Sequence, residues 1–105
     1  MAKFTPTASE RVLLSRLRLG LTQSEYARSL GLTREKYNRA ENGWEKPQFE
    51  VDQSEPNELE ICILKRRRSC LTQDQLAGKI GVSRIWINMM EKGKRNPKLL
   101  LNYWS

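Results

Sequence analysis

Between positions 34 and 39 the chain sets Arg34, Glu35, Lys36, Asn38 and Arg39. These side chains can meet the edges of base pairs. Arg can donate two hydrogen bonds to guanine O6 and N7, Asn can pair with adenine, and Glu can accept from cytosine N4. Thr33, immediately before them, is a helix-capping residue type. An offset of 50 residues brings a second such set, in which Ser83 precedes Arg84, Ile85, Trp86, Asn88 and Met89. There Arg84 and Asn88 repeat, and large apolar groups replace the charges. A solvated helix face can have the composition of the first set, so the elements that carry the residues must decide its meaning.

No comparable set supports catalysis. The sequence has no His and two Cys, Cys62 and Cys70. That excludes His-based acid–base chemistry and the usual zinc spacings. The carboxylates read as caps, pair partners or spacer residues, so no enzyme activity, metal or cofactor is expected. Cys62 falls on an apolar helix face and reads as a small buried hydrophobe. Two free thiols point to a reducing compartment. No apolar run approaches the ~18 residues of a membrane span, and the N-terminus lacks a signal-peptide core. A cytoplasmic location with no membrane partner is the expectation.

The 105 residues carry 19 Lys and Arg against 12 Asp and Glu, net +7. The distribution says more than the sum. Residues 1–47 hold nine basic and five acidic side chains, 48–60 none and five, and 61–105 ten and two. The layout of two basic blocks around an acidic spacer is more than solubility requires. Basic surplus favours a polyanionic partner, either nucleic acid or an anionic membrane surface.

The blocks are copies. Leu21–Pro47 and Leu71–Pro97 align without gaps at an offset of 50, with ten of 27 positions identical. The shared residues include Leu21/Leu71, Thr22/Thr72, Gln23/Gln73, Ala27/Ala77, Gly31/Gly81 and Glu41/Glu91. One supersecondary unit is used twice. Capping boxes at Thr7–Glu10, Thr22–Glu25 and Thr72–Gln75 open helices. Thr33 and Ser83 cap the next helices, which run to about Glu41 and Glu91 and stop at Gly43 and Gly93. The first helix spans about 10–19, and its counterpart runs from about Asn57 to Ser69 with Leu59, Cys62 and Ile63 inward. The fold class expected is all-α, two tandem three-to-four-helix units. The domains are 1–47, an acidic linker at 48–57, and 58–105 with a short apolar tail.

Helix, short glycine turn, helix is the helix-turn-helix pattern, whose second helix can enter a major groove. Both copies resemble the Cro/phage-repressor (Xre-like) family of lambda-repressor-like regulators. The motif carried is L-T-Q-x-x-x-A-x-x-x-G, a hydrophobic residue, then Thr or Ser, and later E-x-G and Pro. The resemblance implies a sequence-specific transcriptional regulator, a repressor of a bacterium, phage or mobile element, whose partner is double-stranded DNA. It implies phosphate contacts at Gln23 and Gln73, and pairs Arg16–Glu41 and Arg66–Glu91 that tie helices together. It places Thr33, Arg34, Glu35, Lys36, Asn38, Arg39, Ser83, Arg84, Trp86 and Asn88 toward DNA.

The second copy departs from the pattern at Ile85, Trp86 and Met89, and three readings stand open. These groups could touch thymine methyls or sugars, bind a protein, or be hidden where the two units meet. The protein reading makes the chain an antiactivator or antitoxin type of regulator, with Leu100 and Trp104 joining the interface. Each unit is near the ~40-residue limit for independent folding, so packing of the units or a homodimer should supplement the cores. The tail, with Leu100 and Trp104, is expected to be buried against the first unit or a second chain. Ten extended linker residues reach ~33–36 Å, just enough for successive major grooves ~34 Å apart. The charge alone also fits RNA or a membrane surface; the paired glycine turns argue against both.

Overall fold

The computed structural model describes residues 4–105. Among them are seven helices and no strand. The chain divides into two compact units, with the boundary between Glu55 and Pro56. The first holds α1 (Ala8–Leu19), α2 (Gln23–Ser29) and α3 (Arg34–Glu41). The second holds α4 (Glu58–Arg68), α5 (Gln73–Ile80), α6 (Arg84–Glu91) and α7 (Lys98–Trp104). No described helix is long and apolar enough to cross a membrane.

The caps written in the sequence set the helix starts. Thr7 Oγ1 accepts from the Glu10 amide while Glu10 Oε1 accepts from the Thr7 amide, at 3.2 and 2.8 Å. The same reciprocal pair forms at Thr22 with Glu25 and at Thr72 with Gln75. Asn57 forms another with Glu60 and opens α4. Each box satisfies two amides that have no partner within the helix. The connection after α1 turns on Gly20 at φ +71°, and the equivalent after α4 is Cys70 at φ +57°. A side chain in that left-handed region costs ~1–2 kcal/mol that glycine avoids. The two copies thus solve one turn at different cost.

Inside each unit the second and third helices cross the first around a small core. In the first unit Val12, Tyr26, Ala27 and Tyr37 are buried, with Leu21, Leu30 and Leu32 around them. In the second the equivalent positions are Cys62, Leu76, Ala77 and Ile87, joined by Met90 and Leu100. Cys62 is buried, as its apolar surroundings required. Leu64 is fully buried and Ile63 only half-buried, so α4 turns a slightly different face inward than the spacing of Leu59, Cys62 and Ile63 suggested.

The fourth side of each core is closed differently. In the second unit α7 lies across α4, α5 and α6. Leu100 is 0% exposed there, and Leu101 and Trp104 are packed beside it at helical spacing. Lys65 Nζ donates to the Trp104 carbonyl at 2.9 Å and holds the end of α7. One side of the tail, with Leu100, Leu101 and Trp104, therefore packs on its own unit, while Leu99 and Tyr103 are 50% and 39% exposed. That corrects the expectation for Leu100, which is core and unavailable to a partner.

In the first unit an extended strap, residues 48–55, takes the corresponding place. Phe49 and Val51 alternate inward as an extended chain requires. The Phe49 ring stacks on Tyr37 at 6.2 Å and meets Tyr26 edge-on at 6.4 Å. Polar ties fix the rest. The Asp52 amide donates to Ser15 Oγ at 2.8 Å, and Arg18 pairs with the Asp52 carboxylate at 2.9 Å. Arg11 reaches the Gln53 carbonyl, and Arg18 also reaches those of Ser54 and Glu55. The segment read as a free acidic linker is a docked strap.

Hydrogen bonds from Ser54, and then the Arg18 guanidinium, hold the Asp52 carboxyl down at about 2. A carboxyl whose folded pKa lies below its unfolded value stabilises above the unfolded value and loses that as pH falls through the folded one. The Asp52 anchor should be at full strength above its ordinary value of 3.8 and gone near pH 2. Proton NMR contacts between Phe49 and Tyr37 should weaken across that window, and Asp52→Asn should remove the pH dependence. Contacts unchanged at pH 2 would mean that Phe49 and Val51 hold the strap without Asp52.

Candidate nucleic-acid interface

The outer face of α3 is held in place from below. Glu41, at the end of α3, is 3% exposed. Arg16 of α1 reaches it bidentately, Nε to Oε2 at 3.0 Å and Nη2 to Oε1 at 3.1 Å. Arg16 Nη1 donates to the Leu21 carbonyl, and Gln23 Nε2 donates to Glu41 Oε1 at 3.1 Å. One buried carboxylate thus gathers the end of α1, the start of α2 and the end of α3. Burial works to raise the Glu41 pKa, but the hydrogen bonds led by Arg16 outweigh it and keep the group below the usual range.

The second unit repeats this hub. Arg66 meets Glu91 at 2.8 and 3.3 Å, donates to the Leu71 carbonyl, and Gln73 Nε2 donates to Glu91 at 3.0 Å. Both glutamine amides therefore point inward to a carboxylate. The resemblance placed Gln23 and Gln73 at phosphates; the structure shows them first as ties between helices. Around Gln73, the side chains of Arg66, Thr72, Asp74 and Arg84 line an open depression.

With the hub fixed, α3 turns Arg34, Glu35, Lys36 and Arg39 to solvent. Thr33 Oγ1 caps the helix by accepting from the Lys36 amide at 3.2 Å. Asn38 is half-buried, and its Oδ1 accepts from Gln23 and Asn42. Arg39 pairs with Glu45 across the turn after the helix at 3.3 Å. Arg34, Glu35 and Lys36 are brought together at the first turn, while Asn38 and Arg39 are partly engaged by neighbours.

On α6, Ser83 caps the Trp86 amide, and Arg84 and Ile85 are exposed. Ile85 is 67% and Trp86 42% exposed. Neither is hidden within its own unit. The Arg95 guanidinium lies over the Trp86 ring at 4.8 Å, and its Nε donates to Met89 Sδ at 3.3 Å. That clasp stands where Arg39 and Glu45 form an ion pair in the first unit. Asn88 and Met89 are half-buried, and Trp104 is packed into the core below α7.

One residue escaped the sequence reading. Trp44, in the turn after α3, is 77% exposed and lines a shallow depression with Glu35, Asn38, Arg39 and Asn42. Its signal was available. The aligned position in the other copy is Lys94, so Trp44 is an apolar ring set in a solvent-facing turn.

Residues 64–101 match the helix-turn-helix family model. The match runs from the middle of α4 through the start of α7 and includes the whole α5–turn–α6 pair. No curated protein and no solved structure matches the chain. All seven helices and the matched segment agree with a lambda-repressor-like, all-α fold.

Proposed function

We propose that the chain is a sequence-specific DNA-binding regulator of transcription, acting as a repressor of the Cro/phage-repressor type in the bacterial cytoplasm. Both units would present a helix to the major groove, α3 from the first and α6 from the second. The observation that carries this reading is the hub built twice. In each copy a buried Glu, a bidentate Arg and a Gln fix the third helix, and they leave its first turn exposed, charged in α3 and led by Arg84 in α6. Phosphate contacts would come from the exposed basic residues beside that turn and from helix-start amides. Base contacts would come from Arg34, Glu35 and Lys36 in the first copy, with Asn38 and Arg39 at their edge. Occlusion of a promoter needs no further domain.

Arg34→Ala tests the base-reading role. It should weaken binding to a selected duplex by about 1–3 kcal/mol and relax preference at one position. A uniform loss across all sequences, with a shallower salt dependence, would reduce Arg34 to a phosphate contact.

A second reading is supported by the exposure of Ile85 and Trp86. An apolar cluster on a helix can serve a protein partner, including a second copy in a homodimer. Under that reading Trp86→Ala leaves DNA affinity unchanged and abolishes the protein contact.

A further inference from the structure

We infer that the second unit reads thymine, with Ile85 and Trp86 meeting the C5-methyl groups that line the major groove. The inference rests on the DNA-binding reading above and adds what α6 would recognise. Three observations favour it. Ile85 and Trp86 occupy the first turn of α6, aligned with Glu35 and Lys36 of α3, so the face that would lie deepest in a groove is apolar in this copy. The surroundings of that face are cationic. Arg84 precedes it, and Lys92, Lys94 and Arg95 follow it, all exposed. The only carboxylate of α6, Glu91, is 6% exposed and paired with Arg66. Against these four exposed cations stands one exposed carboxylate, Asp74 beside Arg84, and a rim so strongly positive favours nucleic acid, since interfaces with DNA are far more positive than those between proteins. Finally, Arg95 over the ring fixes Trp86 from the side of the following turn. The indole is then an oriented apolar contact rather than a loose one.

Of the base edges in the major groove, only thymine offers a methyl group. Ile85 and Trp86 have no acceptor to aim at adenine or cytosine, and the indole N–H is a single donor. The two units therefore read chemically different subsites, one by hydrogen bonds from α3 and one by apolar contact from α6. The complete target is asymmetric despite the repeat in the protein.

The probe is a duplex recovered from a randomised pool by the full chain, together with the same duplex carrying deoxyuridine for thymine. That exchange removes the methyl and leaves base pairing intact. Each contacted methyl should contribute about fourfold in affinity, from ~0.8 kcal/mol per buried methyl-sized group. Ile85→Ala and Trp86→Ala should weaken binding to the thymine duplex and abolish its advantage over the deoxyuridine duplex. Arg34→Ala should weaken binding and keep that advantage. Equal binding of the two duplexes by the unaltered chain, with sequence preference still present, overturns the inference and leaves the DNA-binding reading standing. Ile85→Ala and Trp86→Ala with unchanged affinity and unchanged thymine advantage overturn the inference, since the methyl groups are then read elsewhere. Failure to recover any preferred duplex overturns both readings. Both substituted side chains are exposed, and circular dichroism confirms that the variants are folded.

Discussion

Arg16→Met is expected to cost the first unit about 3–5 kcal/mol, the penalty for leaving a buried carboxylate without its partner. Glu41 is 3% exposed, and Arg16 serves both of its oxygens. Gln23 and the Tyr37 hydroxyl would remain beside that charge, and neither carries a compensating positive charge. A loss of this size approaches the whole stability of a small unit, so the first unit should be largely unfolded at 25 °C. Far-UV circular dichroism would show it as helical signal already lost before urea is added, with the second unit's transition remaining. Adding Glu41→Met should recover much of the loss, because removing both partners leaves no buried charge unpaired, only neutral groups such as the Gln23 amide and the Leu21 carbonyl. A loss below ~1 kcal/mol would mean that Glu41 is solvated or protonated without Arg16, and the hub would not be the anchor of α3.

The second large effect concerns the two closures. Leu100 is fully buried, and Leu100→Ala should cost the second unit about 2–5 kcal/mol through lost burial and the cavity left behind. Phe49→Ala should cost the first unit less, about 2–3 kcal/mol, because Phe49 is only half-buried and its loss can be partly refilled. Amide hydrogen exchange separates the outcomes. Leu100→Ala should speed exchange in α4–α6, and Phe49→Ala in α1–α3. If Phe49→Ala left exchange in α1–α3 unchanged, the strap would be an ornament on a core that stands without it.

The contrast between strap and helix also shows what the sequence could and could not say. Capping residues act through neighbours three positions away, so Thr7, Thr22 and Thr72 announced their helices without tertiary knowledge. The family resemblance implied the pairs Arg16 with Glu41 and Arg66 with Glu91, and the structure forms both. The all-α class followed from the same signals. Residues 48–55 were opaque for a physical reason. An extended strap needs only alternate inward residues, and Phe49 and Val51 are too few to stand out among acids and turn formers. Its other ties run through backbone carbonyls to Arg11 and Arg18, which leave no mark on the strap's own composition. The tail failed in the opposite direction. Leu99 to Trp104 is apolar enough to suggest an external partner, but helical geometry turns Leu100 into the local core. At the candidate interface Arg34, Glu35, Lys36, Arg39, Arg84, Ile85 and Trp86 are exposed as the sequence suggested, whereas Asn38, Asn88 and Met89 are half-buried. The inward aim of Gln23 and Gln73 depends on where the buried carboxylates sit, which only three-dimensional packing reveals.

The central claim is that the fixed, exposed faces of α3 and α6 serve sequence-specific binding of duplex DNA. Its most direct test is binding of the full chain to selected and to random duplexes across a salt series. The account predicts a recovered motif bound at least ~10³-fold more tightly than random DNA, with that ratio persisting while both affinities fall with salt. Weak, salt-steep binding without sequence preference would contradict it and would turn the faces over to a protein partner.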